Sequence, residues 1–210
     1  MGLVASLNRP GGNVTGSAIL AAELTPKRLQ LLRELVPDAA RFGILADPGA
    51  ATQSMITDLQ GAMITDLQGA ARRLDLQLIV VYAGTDSDLE TAFPALSQQR
   101  VRAVLIGDSN FYNRRIEQLA ALAARHALPA IFTLREFVLA GGLMSYGSGL
   151  DYRYHQTAIY TGRILKGEKP ADLPVQQITK IELVINLKTA NALGLTIPET
   201  LLATADEVIQ

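Results

Sequence analysis

The segment Ile106 to Asn110 (IGDSN) places an aspartate, a serine and an asparagine directly behind a short apolar run, so Ser109 is the first candidate for covalent chemistry. A nucleophilic serine needs a histidine to take its proton and an acid to orient that histidine. The chain has 2 histidines: His126, at the end of an amphipathic pattern, and His155, shortly after Asp151. Neither spacing supplies an Asp-x-x-His pair, so the reading is not an enzyme. Cysteine is absent, which excludes thiolate nucleophiles, disulfides and cysteine-ligated metals. No phosphate loop, no G-x-G-x-x-G behind a strand and no H-E-x-x-H occurs, and isolated histidines are a poor metal set. No metal and no cofactor are expected.

What remains is binding chemistry. Asp47 with Thr52, Gln53 and Ser54, then Asp108, Ser109 and Asn110 with Phe111, then Arg135 and Glu136, each follow an apolar run. The carboxylates of Asp47, Asp108 and Glu136 suit an ammonium-bearing ligand, and Phe111 or Tyr146 offers a ring face to a planar or apolar part. Asp, Ser and Asn are also the common helix caps, and one residue can do both.

The elements that must position these residues alternate. Thr25-Pro26 reads as a cap and first helical position, with Leu29, Leu32, Leu35 and Val36 on one face until Pro37. Apolar runs at Phe42 to Ala46, Leu76 to Tyr82, Ala103 to Ile106, Ala130 to Thr133, Leu143 to Tyr146 and Ile181 to Ile185 predict strands. Helices are predicted over roughly Ser54 to Leu74, Asp88 to Gln98 behind an Asp86 or Ser87 cap, Tyr112 to His126 and Asp151 to Lys166. A short helix near Thr189 to Leu193 and another after Pro198 close the chain. Buried strands alternating with helices predict an α/β fold with a parallel sheet covered on both faces. Ligands of such sheets bind beyond the carboxyl ends of the strands, where the polar loops fall.

Met55 to Ala62 and Met63 to Ala70 are both MITDLQGA. In a helix, eight residues rotate the second copy by about 80° against the first, so the copies cannot present one face to one groove. The duplication reads as an insertion that perturbs the loop behind Asp47.

Bulk properties narrow the partners. The 210 residues are 49% hydrophobic, enough for one large core or two modest lobes, and carry a formal net charge of -1. The charges are spread along the chain, so no nucleic-acid partner is expected. No apolar run reaches membrane-spanning length, and Met1 to Gly12 lacks the features of a secretory signal.

Several blocks together resemble a known family. LVASLNRPGGNVTG (Leu3 to Gly16), KRLQLLRELVP (Lys27 to Pro37), LPAIFTLREFVLAGGLMSYG (Leu128 to Gly147), ILKGEKPADLPV (Ile164 to Val175) and ELVINLKTANALGLTIP (Glu182 to Pro198) are similar to ABC-importer substrate-binding proteins, the group that includes tryptophan and tyrosine binders. The resemblance implies a type I periplasmic-binding fold, in which two lobes joined by three crossing strands hold a small molecule. It also implies an ABC permease as partner, a periplasmic location, and a chain matching the C-terminal two-thirds of the family.

On that reading, residues 1–16 are a remnant of the N-terminal lobe and first crossing, and 17–147 are the C-terminal ligand-binding lobe. Residues 148–174 hold a helix of the N-terminal lobe, and 175–210 return to the C-terminal lobe. Crossings are implied at Val14 to Gly16, Leu143 to Gly147 and roughly Pro174 to Leu183. The helix Asp151 to Lys166 would expose Tyr152, Ile159, Tyr160 and Ile164, a patch favouring a homo-oligomer.

Carried over by position, the loop Asp47 to Ser54 and the loop Asp108 to Asn110 touch the ligand, while Tyr146, Gly147 and Asp151 fall at the mouth of the cleft. Half a cleft would not enclose a ligand, so binding by this length of chain alone is not expected. An alternative is the effector-binding half of a sensor or transcription regulator. IGDSN also resembles the nucleophile block of GDS-type lipases and esterases, a family whose block lies near the start of the chain and whose Asp-x-x-His pair is missing here.

Overall fold

The computed structural model describes residues 3–18, 21–51, 65, 67–69, 71–72 and 75–210, the side chains of 21–23, 50 and 51 excepted. It divides into a larger unit, Ala22–Gly147 with Glu182–Gln210, and a smaller one, Met1–Ala21 with Ser148–Ile181.

The larger unit is built on strands β2 (Arg41–Ala46), β3 (Gln77–Tyr82), β4 (Ala103–Ile106), β5 (Ala130–Phe132), β6 (Met144–Gly147), β8 (Glu182–Asn186) and β9 (Glu207–Ile209). They form one sheet of 7 strands in the order β3-β2-β4-β5-β6-β8-β9. The first five in that order run parallel, and β8 with β9 runs against β6. Residues 42–45 and 103–106 are buried throughout, the mark of strands covered on both faces. Gly43 is required by that covering: a Cβ there would lie 2.7 Å from Leu96 Cδ2 of the overlying helix.

Helices α1 (Ala21–Leu35), α2 (Asp86–Gln98), α3 (Asn110–Asn113), α4 (Ile116–Arg125), α5 (Arg135–Leu139), α7 (Leu187–Ala192) and α8 (Glu199–Thr204) pack with this sheet in the larger unit. Leu29, Leu32 and Leu35 of α1 pack into a core with Phe42, Ile44, Leu105, Ile131, Leu183 and Ile185. Leu89, Phe93 and Leu96 of α2 are buried as well, and Phe132 meets Phe137 edge-on with centroids 5.7 Å apart.

Several boundaries differ from the sequence reading, each for a local reason. The first helix does not begin at Thr25-Pro26. It starts at Ala21, with Pro26 inside it near the amino end: the preceding alanines favour helix, which offsets the lost proline donor and the crowding of its ring against the preceding turn. The α2 cap is Thr85, not Asp86 or Ser87: Thr85 accepts from the Asp88 amide and the Asp88 carboxylate accepts from the Thr85 amide. Thr85→Ala should therefore cost about 1 kcal/mol of stability, read from the urea midpoint. A loss indistinguishable from zero would show that the cap is replaced by water.

The helix expected over Tyr112 to His126 is broken into α3 and α4 at Arg114 and Arg115. The sequence pattern predicts neither α5 nor the edge strand β9. Five and three residues are too few for either period to register. The sheet is parallel only in part, since β6 and β8 are antiparallel. Most of the predicted helix Ser54 to Leu74 lies outside the described residues, as do the first MITDLQGA copy and half of the second. Among the described residues, Leu67 of the second copy and Ala71 one turn later are helical and buried in the core.

In the smaller unit, β1 (Ser17–Ala18) pairs in parallel with β7 (Gln176–Gln177), beside α6 (Leu150–Leu165). Thr15 Oγ1 donates to the Leu173 carbonyl at 2.5 Å, and the Val175 amide donates to the Leu7 carbonyl at 2.7 Å. The expected exposure of α6 is corrected at Tyr160, which is buried and donates its hydroxyl to the Pro174 carbonyl. Tyr152 is half-buried, with Lys180 Nζ 6.0 Å from its ring centroid. Ile159 and Ile164 are exposed as predicted, together with Tyr154 and Leu165.

Candidate functional site

The strand order reverses between β2 and β4: the chain leaves β2 outward to β3 and returns on the other side to β4. Loops at the carboxyl ends of these strands diverge there, which opens a crevice suited to a ligand. The polar residues singled out in the sequence fall on this edge. Asp47 follows β2, Asp108 and Ser109 follow β4, Glu136 lies in the first turn behind β5, and Tyr146 is near the end of β6.

The loops brace one another. Asp47 is 8% exposed and turns Oδ1 back to accept the Gly49 amide at 2.7 Å. Gly84, behind β3, lies so close that a Cβ would come 2.9 Å from Pro48 Cγ. Tyr112, fully buried, donates its hydroxyl to the Ala83 carbonyl at 2.8 Å and so ties the β4 loop to the β3 loop. Burial, and after it the negative charge of Asp47, pushes the Tyr112 phenol far above its ordinary value, so it stays a neutral donor. The Asp88 carboxyl is held below its usual value chiefly by the Gly84 amide.

The individual candidates have defined partners. Ser109 Oγ accepts the Tyr112 amide at 3.1 Å and caps α3. Asp108 Oδ1 accepts from Asn113 Nδ2 at 3.2 Å, and Asn110 is exposed at the start of α3. Arg115 pairs with Asp86, with Nη2 to Oδ2 at 3.2 Å, and lays its guanidinium 3.9 Å from the Phe111 ring centroid. One face of Phe111 is thereby covered, which limits its use against a ligand. The hydrogen bond with Arg115 lowers the Asp86 carboxyl and correspondingly raises the arginine.

Glu136 is half-buried, and its Oε2 is enclosed without a hydrogen-bond partner among the described residues. It lines a groove of about 640 Å³ with Asn113, Arg114, Glu117 and Leu139. The Tyr146 ring packs partly against the core. Asp151 belongs to the smaller unit, exposed in the first turn of α6. Ser54, like Thr52 and Gln53, lies outside the described residues.

Sequence reasoning missed Arg28, Thr133 and Tyr82. Tyr82 ends β3 and is 58% exposed beside the Asp47 loop, an aromatic at a strand terminus just before Ala83-Gly84. Arg28 was hidden because a charge within a leucine stripe reads as the solvent side of a helix.

This edge offers carboxylates, hydroxyls and an aromatic ring, the groups that hydrogen-bond a polar molecule and pack against a planar one. His126, the histidine of this unit, is not placed beside Ser109: it stacks on Phe93 with ring centroids 6.1 Å apart, at the far end of α4. The 10 residues of α4 separate the two ends by about 15 Å. Among the described residues no group of three or more His, Cys, Asp or Glu could hold a metal ion, and no helix is long and apolar enough to cross a membrane.

Known proteins show the same organisation. A tyrosine-binding protein of Clostridioides difficile (strain R20291) is 24% identical over 197 residues, covering 92% of this chain and 53% of that protein. The chain thus spans about half the length of this curated relative. The crystal structure of an ABC domain in complex with L-Trp from Streptococcus pneumonia superposes with a TM-score of 0.79 at 25% identity, over 99% of this chain and 68% of the other. A conserved domain protein from Vibrio cholerae O1 biovar El Tor gives a TM-score of 0.79 at 28% identity, over 98% and 66%. The sequence model of the family described as ABC transporter substrate binding protein matches residues 1–209. With that match running along nearly the whole chain, this protein belongs to the ABC transporter substrate-binding family.

Proposed function

We propose that the protein is the solute-binding component of an importer and that the carboxyl edge of its larger unit supplies one wall of an amino-acid site, with an aromatic amino acid as the ligand class. The observation that carries this reading is the gathering of Asp47, Asp108 and Glu136 with Tyr82 on one sheet edge at the point where the strand order reverses. Carboxylates receive an ammonium group, and an exposed ring receives an apolar or planar side chain. The tyrosine-binding relative and the L-Trp complex support the same ligand class.

On this reading the bound solute is handed to a permease on the outer side of the membrane. The smaller unit belongs to the second lobe of the family fold, and the exposed Ile159, Ile164 and Leu165 of α6 serve an apolar contact there or in a homo-oligomer.

Thermal denaturation of protein carrying both lobes, in the presence of L-tryptophan, L-tyrosine, L-alanine and L-lysine, tests the ligand class. A hundredfold excess over Kd adds about 2.7 kcal/mol, which raises Tm by roughly 5 °C. The shift is expected for the aromatic amino acids and not for alanine. Folded protein whose Tm responds to none of them at millimolar concentration would overturn the amino-acid reading.

A further inference from the structure

Arg28 stands in the apolar stripe of α1, in line with Leu32 and Leu35 one and two turns on, and is 4% exposed. A guanidinium so deeply enclosed has given up its water and needs directed partners in exchange. Its Nε donates to the Tyr146 carbonyl at 2.7 Å and its Nη2 to Thr133 Oγ1 at 3.0 Å. Thr133, 4% exposed, is the residue immediately behind β5, and Tyr146 is the penultimate residue of β6.

The same place has no room for a side chain at Gly147: a Cβ there would overlap the Thr133 carbonyl and come 3.0 Å from its Oγ1. The two strand ends are thus closed around one cation. Thr133 leads directly into α5, which carries Glu136, and Gly147 is where the chain leaves the larger unit. An apolar side chain would fill this volume without fixing either strand end. Two directed bonds from a rigid planar fork set the position of both.

We propose that Arg28 is a positioning residue for the binding edge, holding the ends of β5 and β6, and with them Glu136 and the exit at Gly147, in the arrangement that receives the ligand. This rests on the amino-acid reading above for its ligand, though not for its mechanical part. The role is separable from mere core filling, because lysine keeps the charge but replaces the rigid fork with one rotatable ammonium that does not fix two bond directions, and valine at Thr133 keeps the shape but removes the acceptor.

Hydrogen-exchange mass spectrometry on the 210-residue chain and calorimetric titration of L-tryptophan into protein carrying both lobes test it, using Arg28→Lys, Thr133→Val and Thr133→Ser. Arg28→Lys and Thr133→Val should speed exchange in peptides covering 134–139 and 144–150 by about tenfold, with β2 and β4 unchanged, and Thr133→Ser should restore protection. L-tryptophan should bind Arg28→Lys about tenfold more weakly than the parent. Should Arg28→Lys fail to fold, the valine and serine pair at Thr133 decides the matter alone. Exchange that is unchanged at these peptides, or that rises equally in every strand, overturns the proposal, and so does local loosening with undiminished affinity. A parent protein that binds neither L-tryptophan nor L-tyrosine overturns the ligand reading, while the exchange result still decides whether Arg28 anchors the strand ends.

Discussion

Tyr112→Ala is expected to destabilise the larger unit by about 4 kcal/mol, the cost of emptying a site filled by a fully buried aromatic ring. That corresponds to a fall in Tm of about 12 °C. Tyr112→Phe should cost only about 1 kcal/mol, because it retains the packing and leaves the Ala83 carbonyl without its donor. The contrast matters for function. The ring and its tilted neighbour Phe111, with centroids 5.5 Å apart, form the floor beneath the loops behind β3 and β4. The alanine variant should therefore lose amino-acid binding under conditions where it remains folded, and the phenylalanine variant should keep it. Urea unfolding gives the two stabilities. Equal losses in the two variants would mean that the single hydrogen bond, not the packed ring, holds the loops together.

Gly147→Ala is the second large effect, about 3 kcal/mol of lost stability. The added Cβ would collide with the main-chain carbonyl of Thr133, and a carbonyl in a strand end cannot swing aside as a flexible side chain can. Relief requires β6 to move away from the end of β5, which also lengthens the Arg28 bonds to Tyr146 and Thr133. Gly162→Ala, inside α6 where a Cβ meets nothing within 4 Å, is the control and should stabilise by about 0.5 kcal/mol. Circular-dichroism melts of the two variants are enough to compare them. A Gly147→Ala protein melting with the parent would show that the strand ends are not closely packed in solution.

Both predictions concern how the edge is held, which is where the sequence and the structure part company. The strands were readable because β2, β4 and β5 are short apolar runs ended by Asp-Pro-Gly, Gly-Asp or Thr-Leu-Arg, and burial on both faces demands such runs. Their pairing was partly readable, since alternation with helices implies parallel neighbours. The antiparallel approach of β8 to β6 carries no such mark. Nothing in ELVIN separates it from a parallel strand, because hydrogen-bond direction is set by where the preceding connection delivers the chain.

The loops followed the same division. Asp47, Asp108, Ser109 and Glu136 were recognisable as polar residues behind strands, but their partners were not. Asp47 turning back to Gly49, and Ser109 capping α3, involve close sequence neighbours and were within reach of the capping reading that competed with ligand binding. Arg115 reaching Asp86, and Arg28 reaching Thr133 and Tyr146, span 29 to 118 positions and depend on which strands lie side by side.

By itself the sequence determined the α/β class, the edge on which the polar loops gather, and the family, because each of these is written in residue types over short spans. Only the tertiary structure decided which of those residues are occupied by their own loops, which ring face is covered, and that a cation from the leucine stripe of α1 closes the ends of β5 and β6. Those outcomes are contacts between distant segments. Their energies exist only after the sheet order has brought the segments together and removed the water between them.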